Sequence, residues 1–213
     1  MSDKKKNWED RRMEELLTSL DEESREAKER KAAKQERNVV REIFSWILYI
    51  AVILGITFFV ITFVGQRTKV SGPSMNDTLQ DGDNLILEKI SYRFHDPERF
   101  DIIVFRFAHS KNTYYIKRII GLPGETVQIV GDDIYINGEL LEEDYGKEPM
   151  QDAGRAAQPI TLGEDEYFVL GDNRNNSSDS RSASVGNVER SQIVGRAWLR
   201  IWPLNKIGFI NHR

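Results

Sequence analysis

The chain has 213 residues, with 34 acidic and 30 basic side chains, and its formal net charge is −4. This balance argues against a general nucleic-acid-binding protein, so we expect no nucleic-acid partner. The absence of cysteine excludes a disulfide scaffold, a thiol nucleophile and metal sites built on thiolates. Since no two of the three histidines stand at metal-ligand spacing, we predict neither a metal nor a cofactor.

Residues 1–42 form a densely charged segment with twelve basic and twelve acidic side chains. Four apolar residues follow the spacing of one helical face, namely Met13, Leu16, Leu17 and Leu20. The pattern predicts a charged helical tail. We favour a solvated helix that sets membrane topology over one that docks a partner or the membrane surface.

Residues 43–64 contain no charged side chain, and a helix of this length spans roughly 33 Å, enough for a bilayer core. The segment is too long and too far from the N-terminus for a cleaved signal peptide, and buried soluble helices rarely stay uncharged over such a length. The 20 residues before it hold seven Lys and Arg, and the 20 after it hold two. This asymmetry predicts a single-pass protein of the cell membrane with residues 1–42 in the cytoplasm.

Residues 65–213 are predicted to form an extracytoplasmic, mainly β domain. Turn signals such as Asn137-Gly138 separate short strand-like runs, which favours an antiparallel, curled or barrel-like architecture. Residues 139–165 are interpreted as a polar connection, so we expect no large accessory domain. The predicted strands are Asn84–Leu87, Ile102–Arg106, Tyr114–Ile120, Thr126–Val130, Ile134–Ile136, Tyr167–Leu170 and Ala197–Trp202.

Three segments of this domain carry residues suited to chemistry. The first is Ser71-Gly72-Pro73-Ser74-Met75, where Gly and Pro force a tight turn that holds a Ser hydroxyl. The second is the strand with Lys117, which shares a face with bulky neighbours, and burial there would lower the pKa of its amine toward that of a general base. The third is the polar run 171–181. Each alone is most often a turn, a surface lysine or an exposed loop.

Together the three segments resemble bacterial type I signal peptidase of the Gram-positive kind. The matching order is Ser-Met at 74–75, Lys-Arg-x-x-Gly-x-Pro-Gly at 117–124 and Gly-Asp-Asn-Arg-x-x-Ser-x-Asp-Ser-Arg at 171–181, behind an N-terminal span. The resemblance covers most of residues 43–205 and implies a β-rich peptidase fold.

The resemblance implies a membrane-anchored serine endopeptidase that removes signal peptides after Ala-x-Ala-type sites. Ser74 would be the nucleophile and Lys117 the general base, without metal or cofactor. Three residues would support them: Ser177 would orient the lysine amine, and Asp179 with Arg181 would hold the loop. Four residues would line the pockets for small substrate side chains: Val70, Met75, Leu79 and Ile116. The implied partners are preprotein signal peptides and the lipid bilayer, close to the secretion translocon.

Three positions depart from the family pattern. Gly72 stands where some members have a serine that joins the oxyanion hole, so the backbone N–H of Ser74 would carry more of that task. Asp77 replaces a proline, and Phe100 replaces a glycine. The alternatives are a catalytically inactive relative that serves as a membrane assembly or chaperone factor, and a self-cleaving repressor-like peptidase.

Overall fold

The computed structural model of the chain describes residues 13, 25, 28, 30, 31, 41–58, 65–110, 112–146 and 148–212. The chain divides into two units, residues 1–58 and 59–213. In the first, helix α1 runs from Arg41 to Phe58 and is long and apolar enough to cross a membrane, as predicted. Most of the predicted helical tail, and residues 59–64 of the predicted span, lie outside the described residues.

Twelve strands are assigned within the described part of the second unit, and every pairing between them is antiparallel. They are β1 Gly65–Lys69, β2 Asn84–Glu88, β3 Ile102–Arg106, β4 Tyr114–Gly121, β5 Thr126–Val130, β6 Asp133–Ile136, β7 Glu139–Leu140, β8 Ile160–Thr161, β9 Glu166–Leu170, β10 Val188–Glu189, β11 Ile193–Trp202 and β12 Gly208–Phe209.

The strands form two sheets. The larger has eight strands in the order β1-β2-β11-β3-β4-β9-β10, with β12 also paired to β11, and the smaller has the order β7-β6-β5-β8. The ten-residue β11 changes register three times against β2 and β3, and such bulges bend a strand and increase its twist. The predicted antiparallel β class is confirmed, but the large sheet of the described residues stays open and does not close into a barrel.

The predicted hairpin at Asn137-Gly138 is confirmed. Residues 137 and 138 both have positive φ angles, 54° and 84°, as a two-residue turn with the twist of a hairpin requires. The turn pairs Ile136 with Glu139 and so joins β6 to β7.

The interpretation of residues 139–165 as a polar connection was wrong. This segment contributes β7 and β8 to the small sheet, and Met150, Ala156 and Leu162 are buried in a core cluster with residues of β4, β5, β6 and β9. Isolated apolar residues in a polar stretch have no strand or helix period, so the sequence pattern did not reveal that they pack.

Two further core clusters lie against the large sheet, and β3 contributes to both. Its alternate side chains enter opposite clusters, Ile102 and Val104 on one side and Ile103 and Phe105 on the other. A strand buried on both faces reads as a continuous apolar run, as Ile-Ile-Val-Phe does here. The neighbouring strand β4, which carries Lys117 and Arg118, therefore lies deep in the domain, where charged groups are largely shielded from water.

Candidate active site

Ser74 and Lys117 meet across the domain although they are 43 positions apart in the chain. Ser74 lies in the turn that follows β1, and Lys117 lies in the middle of β4. The Lys117 Nζ donates a hydrogen bond of 2.7 Å to the Ser74 Oγ and one of 2.9 Å to the Ile116 carbonyl oxygen. A nucleophile and a base at this separation can exchange a proton directly.

The environment of the Lys117 amine stabilises its neutral form relative to that of an exposed lysine. The residue is only 4% exposed. Burial lowers the pKa of Lys117 from 10.5 to about 8, although the negative charges of Asp179 and Asp172 oppose this shift. An amine with such a pKa can accept a proton near neutral pH, which an exposed lysine cannot do.

Backbone contacts fix the turn that carries Ser74. The Asn173 backbone N–H donates to the Ser74 carbonyl oxygen at 3.1 Å, and its side-chain amide donates to the Pro73 carbonyl oxygen at 3.2 Å. The Gly72 N–H donates to the Asp81 carboxylate at 2.9 Å. Among the described residues, the Ser74 backbone N–H has no hydrogen-bond acceptor. It is thus the unengaged donor beside the Ser74 hydroxyl.

The Asp179–Arg181 pair lies in the loop between β9 and β10. The Arg181 guanidinium donates to both Asp179 carboxylate oxygens, at 2.9 and 2.8 Å, and both residues are buried. The second carboxylate oxygen also accepts the Gly171 N–H at 3.1 Å, and Arg181 reaches the Asp152 carbonyl at 3.0 Å. The pair therefore cross-links the loop to the strand end before it.

Ser177 lies in the same loop and lines the same groove as Ser74 and Lys117. Its Oγ is buried and has no hydrogen-bond partner among the described residues. The expected hydrogen bond from Ser177 to the Lys117 amine is therefore not formed in this structure. A buried hydroxyl without a partner is energetically costly. The Ser177 hydroxyl can donate one hydrogen bond and accept others, so it is available to a group that enters the site.

A second ion pair, which the motifs alone did not assign, joins the three segments of the site. The buried Arg118 guanidinium donates to both Asp172 carboxylate oxygens at 2.9 and 2.8 Å. Thr78, four residues after Ser74, donates its hydroxyl to the same Asp172 carboxylate at 2.5 Å. The Lys-Arg doublet inside an apolar strand is the sequence feature that could have indicated this ion pair, because a buried arginine requires a buried partner.

An open groove of about 590 Å³ runs past the Ser74–Lys117 pair. Its apolar lining comes from Val70, Val104 and Ile116, beside polar residues of the loop at 175–178. β4 pairs with β9 only from Arg118 onward, so no strand within the described residues lies beside the outer edge of residues 114–117. That edge is open to an extended peptide.

Of the four residues predicted to contact the substrate, the structure brings two to the groove. Val70 and Ile116 line it, whereas Met75 and Leu79 have no exposed surface and lie in the core cluster below. The Leu79 N–H donates to the Met75 carbonyl, and this helical turn directs both side chains inward. Met75 and Leu79 therefore support the floor of the groove rather than its surface.

Two of the departures from the family pattern adopt unusual backbone angles. Phe100 has φ 72° and Asp77 has φ 78°. A glycine adopts such an angle without strain, whereas a proline at position 77 is incompatible with it. The turn after Ser74 therefore differs locally from one that contains the family proline.

Comparisons with known proteins identify the family of the chain. The family model described as signal peptidase, peptidase S26, matches residues 43–202. A probable signal peptidase I-2 of Synechocystis sp. is 44% identical over 75% of this chain and 72% of its own length. Signal peptidase I P of Bacillus subtilis subsp. natto is 37% identical over 81% of this chain and 96% of its own.

The chain belongs to the S26 signal peptidase family. The resemblance inferred from the three motifs is thereby confirmed, and the chain is a serine peptidase of the signal peptidase I type. A crystal structure of signal peptidase I from Enterococcus faecalis is 41% identical, with a TM-score of 0.41 over 48% of this chain and 97% of that one. The candidate span α1 accords with membrane anchoring of an S26 signal peptidase.

Proposed function

We propose that this protein removes signal peptides from preproteins by a Ser74–Lys117 mechanism and cuts after Ala-x-Ala-type sites. The single observation that carries the proposal is the 2.7 Å contact between the buried Lys117 amine and the Ser74 hydroxyl. Family membership gives the reaction class, and this contact supports Ser74 as the nucleophile and Lys117 as the base.

Neutral Lys117 accepts the Ser74 proton while the Ser74 Oγ attacks the carbonyl carbon of the scissile peptide bond. The Ser74 backbone N–H stabilises the negative oxygen that forms. The nearby Gly72 N–H is not available for this task, because it donates to the Asp81 carboxylate. The Lys117 ammonium then protonates the leaving amine. In the second half, Lys117 takes a proton from water while the water oxygen attacks the ester carbonyl carbon. The bond from that carbon to the Ser74 Oγ then breaks, the Lys117 ammonium returns its proton to the Ser74 oxygen, and the signal peptide leaves with a free carboxyl group.

An extended substrate adds to the open edge of residues 114–117 through backbone hydrogen bonds. Alternate substrate side chains then point toward Val70, Val104 and Ile116, which leaves small apolar pockets for the −1 and −3 positions. In this arrangement Met75 and Leu79 determine the depth of the pockets from below. The Ser177 hydroxyl, which has no partner among the described residues, forms a hydrogen bond with the Lys117 amine. The Asp179–Arg181 pair keeps the loop in place.

The purified full-length protein in lipid is expected to cut a preprotein once, after the alanine at −1 of an Ala-x-Ala site. Mass spectrometry of both products locates the cut. As a control, replacement of the −1 alanine by leucine should reduce the rate by about a hundredfold, because one misplaced side chain shifts the scissile carbonyl from Ser74. If the folded, lipid-embedded protein leaves the substrate intact, an inactive family member that acts in membrane assembly becomes the better explanation.

The orientation in the cell membrane follows from the seven basic residues before the span and the two after it. We place residues 1–42 in the cytoplasm and the β domain outside, beside the site where preproteins leave the secretion translocon. Protease added to intact spheroplasts should digest the β domain and spare an N-terminal tag. Digestion of the tag with survival of the β domain would reverse this assignment.

A further inference from the structure

Residues 141–146, here called the strap, follow β7 in the chain and belong to none of the three site motifs. Burial alternates along it: Leu141, Glu143 and Tyr145 face inward, whereas Glu142, Asp144 and Gly146 are exposed. Its start is anchored by the Leu141 N–H, which donates to the Ile134 carbonyl at 2.8 Å. An extended segment with one buried face is packed against something specific.

Tyr145 covers the Arg118–Asp172 ion pair. The Arg118 Cζ lies 3.6 Å from the centroid of the Tyr145 ring, and the ring also packs at 5.1 Å against Phe100. The Arg118 side chain leaves β4 on the face opposite Lys117, because neighbouring residues of a strand alternate. The contact between Tyr145 and Arg118 therefore restrains β4 on the face opposite Lys117. It also excludes water from the Arg118–Asp172 ion pair, which joins β4 to the loop between β9 and β10.

Glu143 holds that loop through a second arginine. Its two carboxylate oxygens accept hydrogen bonds of 2.8 and 2.9 Å from the Arg174 guanidinium, and both side chains are almost fully buried. Arg174 in turn donates to the Gly171 carbonyl at 3.1 Å, directly before Asp172. The same Glu143 carboxylate accepts the Tyr145 N–H at 3.0 Å, so the two strap residues brace each other.

We propose that Glu143 and Tyr145 are positioning residues for the Ser74–Lys117 reaction. Through Arg174 and Arg118 they fix the loop and strand that hold the base against the nucleophile, without contacting either. This inference rests on the proposed function. A strap that only stabilised the fold would leave the catalytic constants of the folded protein unchanged.

The test uses the full-length protein in lipid with an Ala-x-Ala preprotein. Tyr145→Leu removes the stack, Glu143→Gln removes the charge, and Tyr145→Phe keeps the ring over Arg118. Glu142→Gln and Asp144→Asn are matched controls on the exposed face of the same strap. Thermal unfolding of each variant sets an assay temperature at which all of them are folded. The wild type and Ser74→Ala are assayed in parallel. A wild type that is no faster than Ser74→Ala would refute the proposed function, whereas an active wild type with equally active strap variants would refute only this inference.

We expect Tyr145→Leu and Glu143→Gln to lower kcat by about ten- to a hundredfold with little change in KM, since a displacement of about 1 Å costs that much. Tyr145→Phe should recover most of the activity, and the two exposed-face variants should match the wild type. Unchanged kcat in the folded variants, a loss confined to KM, or a Tyr145→Phe variant as slow as Tyr145→Leu would overturn the assignment.

Discussion

Replacement of Ser74 by alanine or of Lys117 by methionine will lower the rate of preprotein cleavage by about a thousandfold or more, because the nucleophile and base act as one unit. Methionine has nearly the length of lysine without its charge, so it fits the buried site beside Ser74. The double variant should lose no more activity than either single variant. Lys206→Met, on an exposed lysine that does not line the groove, serves as the matched control. Substantial cleavage by Lys117→Met would assign the base to another residue.

The wild-type pH–rate profile tests the same base. The free amine is the form that accepts the Ser74 proton, and the pKa of Lys117 is about 8. At pH values below this pKa the amine is protonated, so kcat/KM should fall about tenfold per pH unit as the pH decreases, and it should level off above the pKa. A profile that is flat between about pH 6 and about pH 9 would contradict a lysine base.

Gly171→Ala is expected to inactivate the enzyme although residue 171 takes no part in the chemistry. A Cβ at this position would lie 2.2 Å from the Ser177 Oγ and 2.5 Å from the Ser74 carbonyl oxygen. The Ser74 carbonyl cannot retreat freely, because it accepts a hydrogen bond from Asn173. We expect about a hundredfold loss of kcat and about 1–3 kcal/mol of destabilisation from overpacking.

The control for this variant is Gly208→Ala, since a Cβ at residue 208 would meet no atom within 4 Å. It should keep the wild-type rate and thermal midpoint. Thermal unfolding and cleavage kinetics on both variants separate a displaced active site from a fold that is merely less stable. Wild-type kcat in a folded Gly171→Ala protein would show that the loop does not fix the position of Ser74.

The elements that the sequence predicted best are those with strong local signals. The apolar segment at 43–64 predicted α1, and the Asn137-Gly138 dipeptide predicted its hairpin, because each depends on composition or on backbone angles within a few residues. The strands β7 and β8 have two residues each, which is too short to show a period of two. They form only because β5 and β6 present edges to them.

For the candidate site, the sequence predicted which residues belong to the family motifs but not how exposed each of them is. Motif order placed Ser74, Lys117 and the Asp179–Arg181 pair in one family pattern, and the structure forms both the Ser74–Lys117 contact and the Asp179–Arg181 ion pair. The pattern could not show that Met75 and Leu79 are fully buried, because their exposure depends on how the turn after Ser74 is oriented on the core.

Residue identity, residue order and hydrophobic length were enough to predict the reaction class, the nucleophile and base that we propose, and a candidate membrane span followed by a β domain. The packing of the domain, by contrast, buries Lys117 and pairs Arg118 with Asp172, 54 residues away. It also places Tyr145 of the strap over that ion pair. Burial and long-range pairing arise when distant segments pack, and no local pattern in the chain specifies which segments will meet.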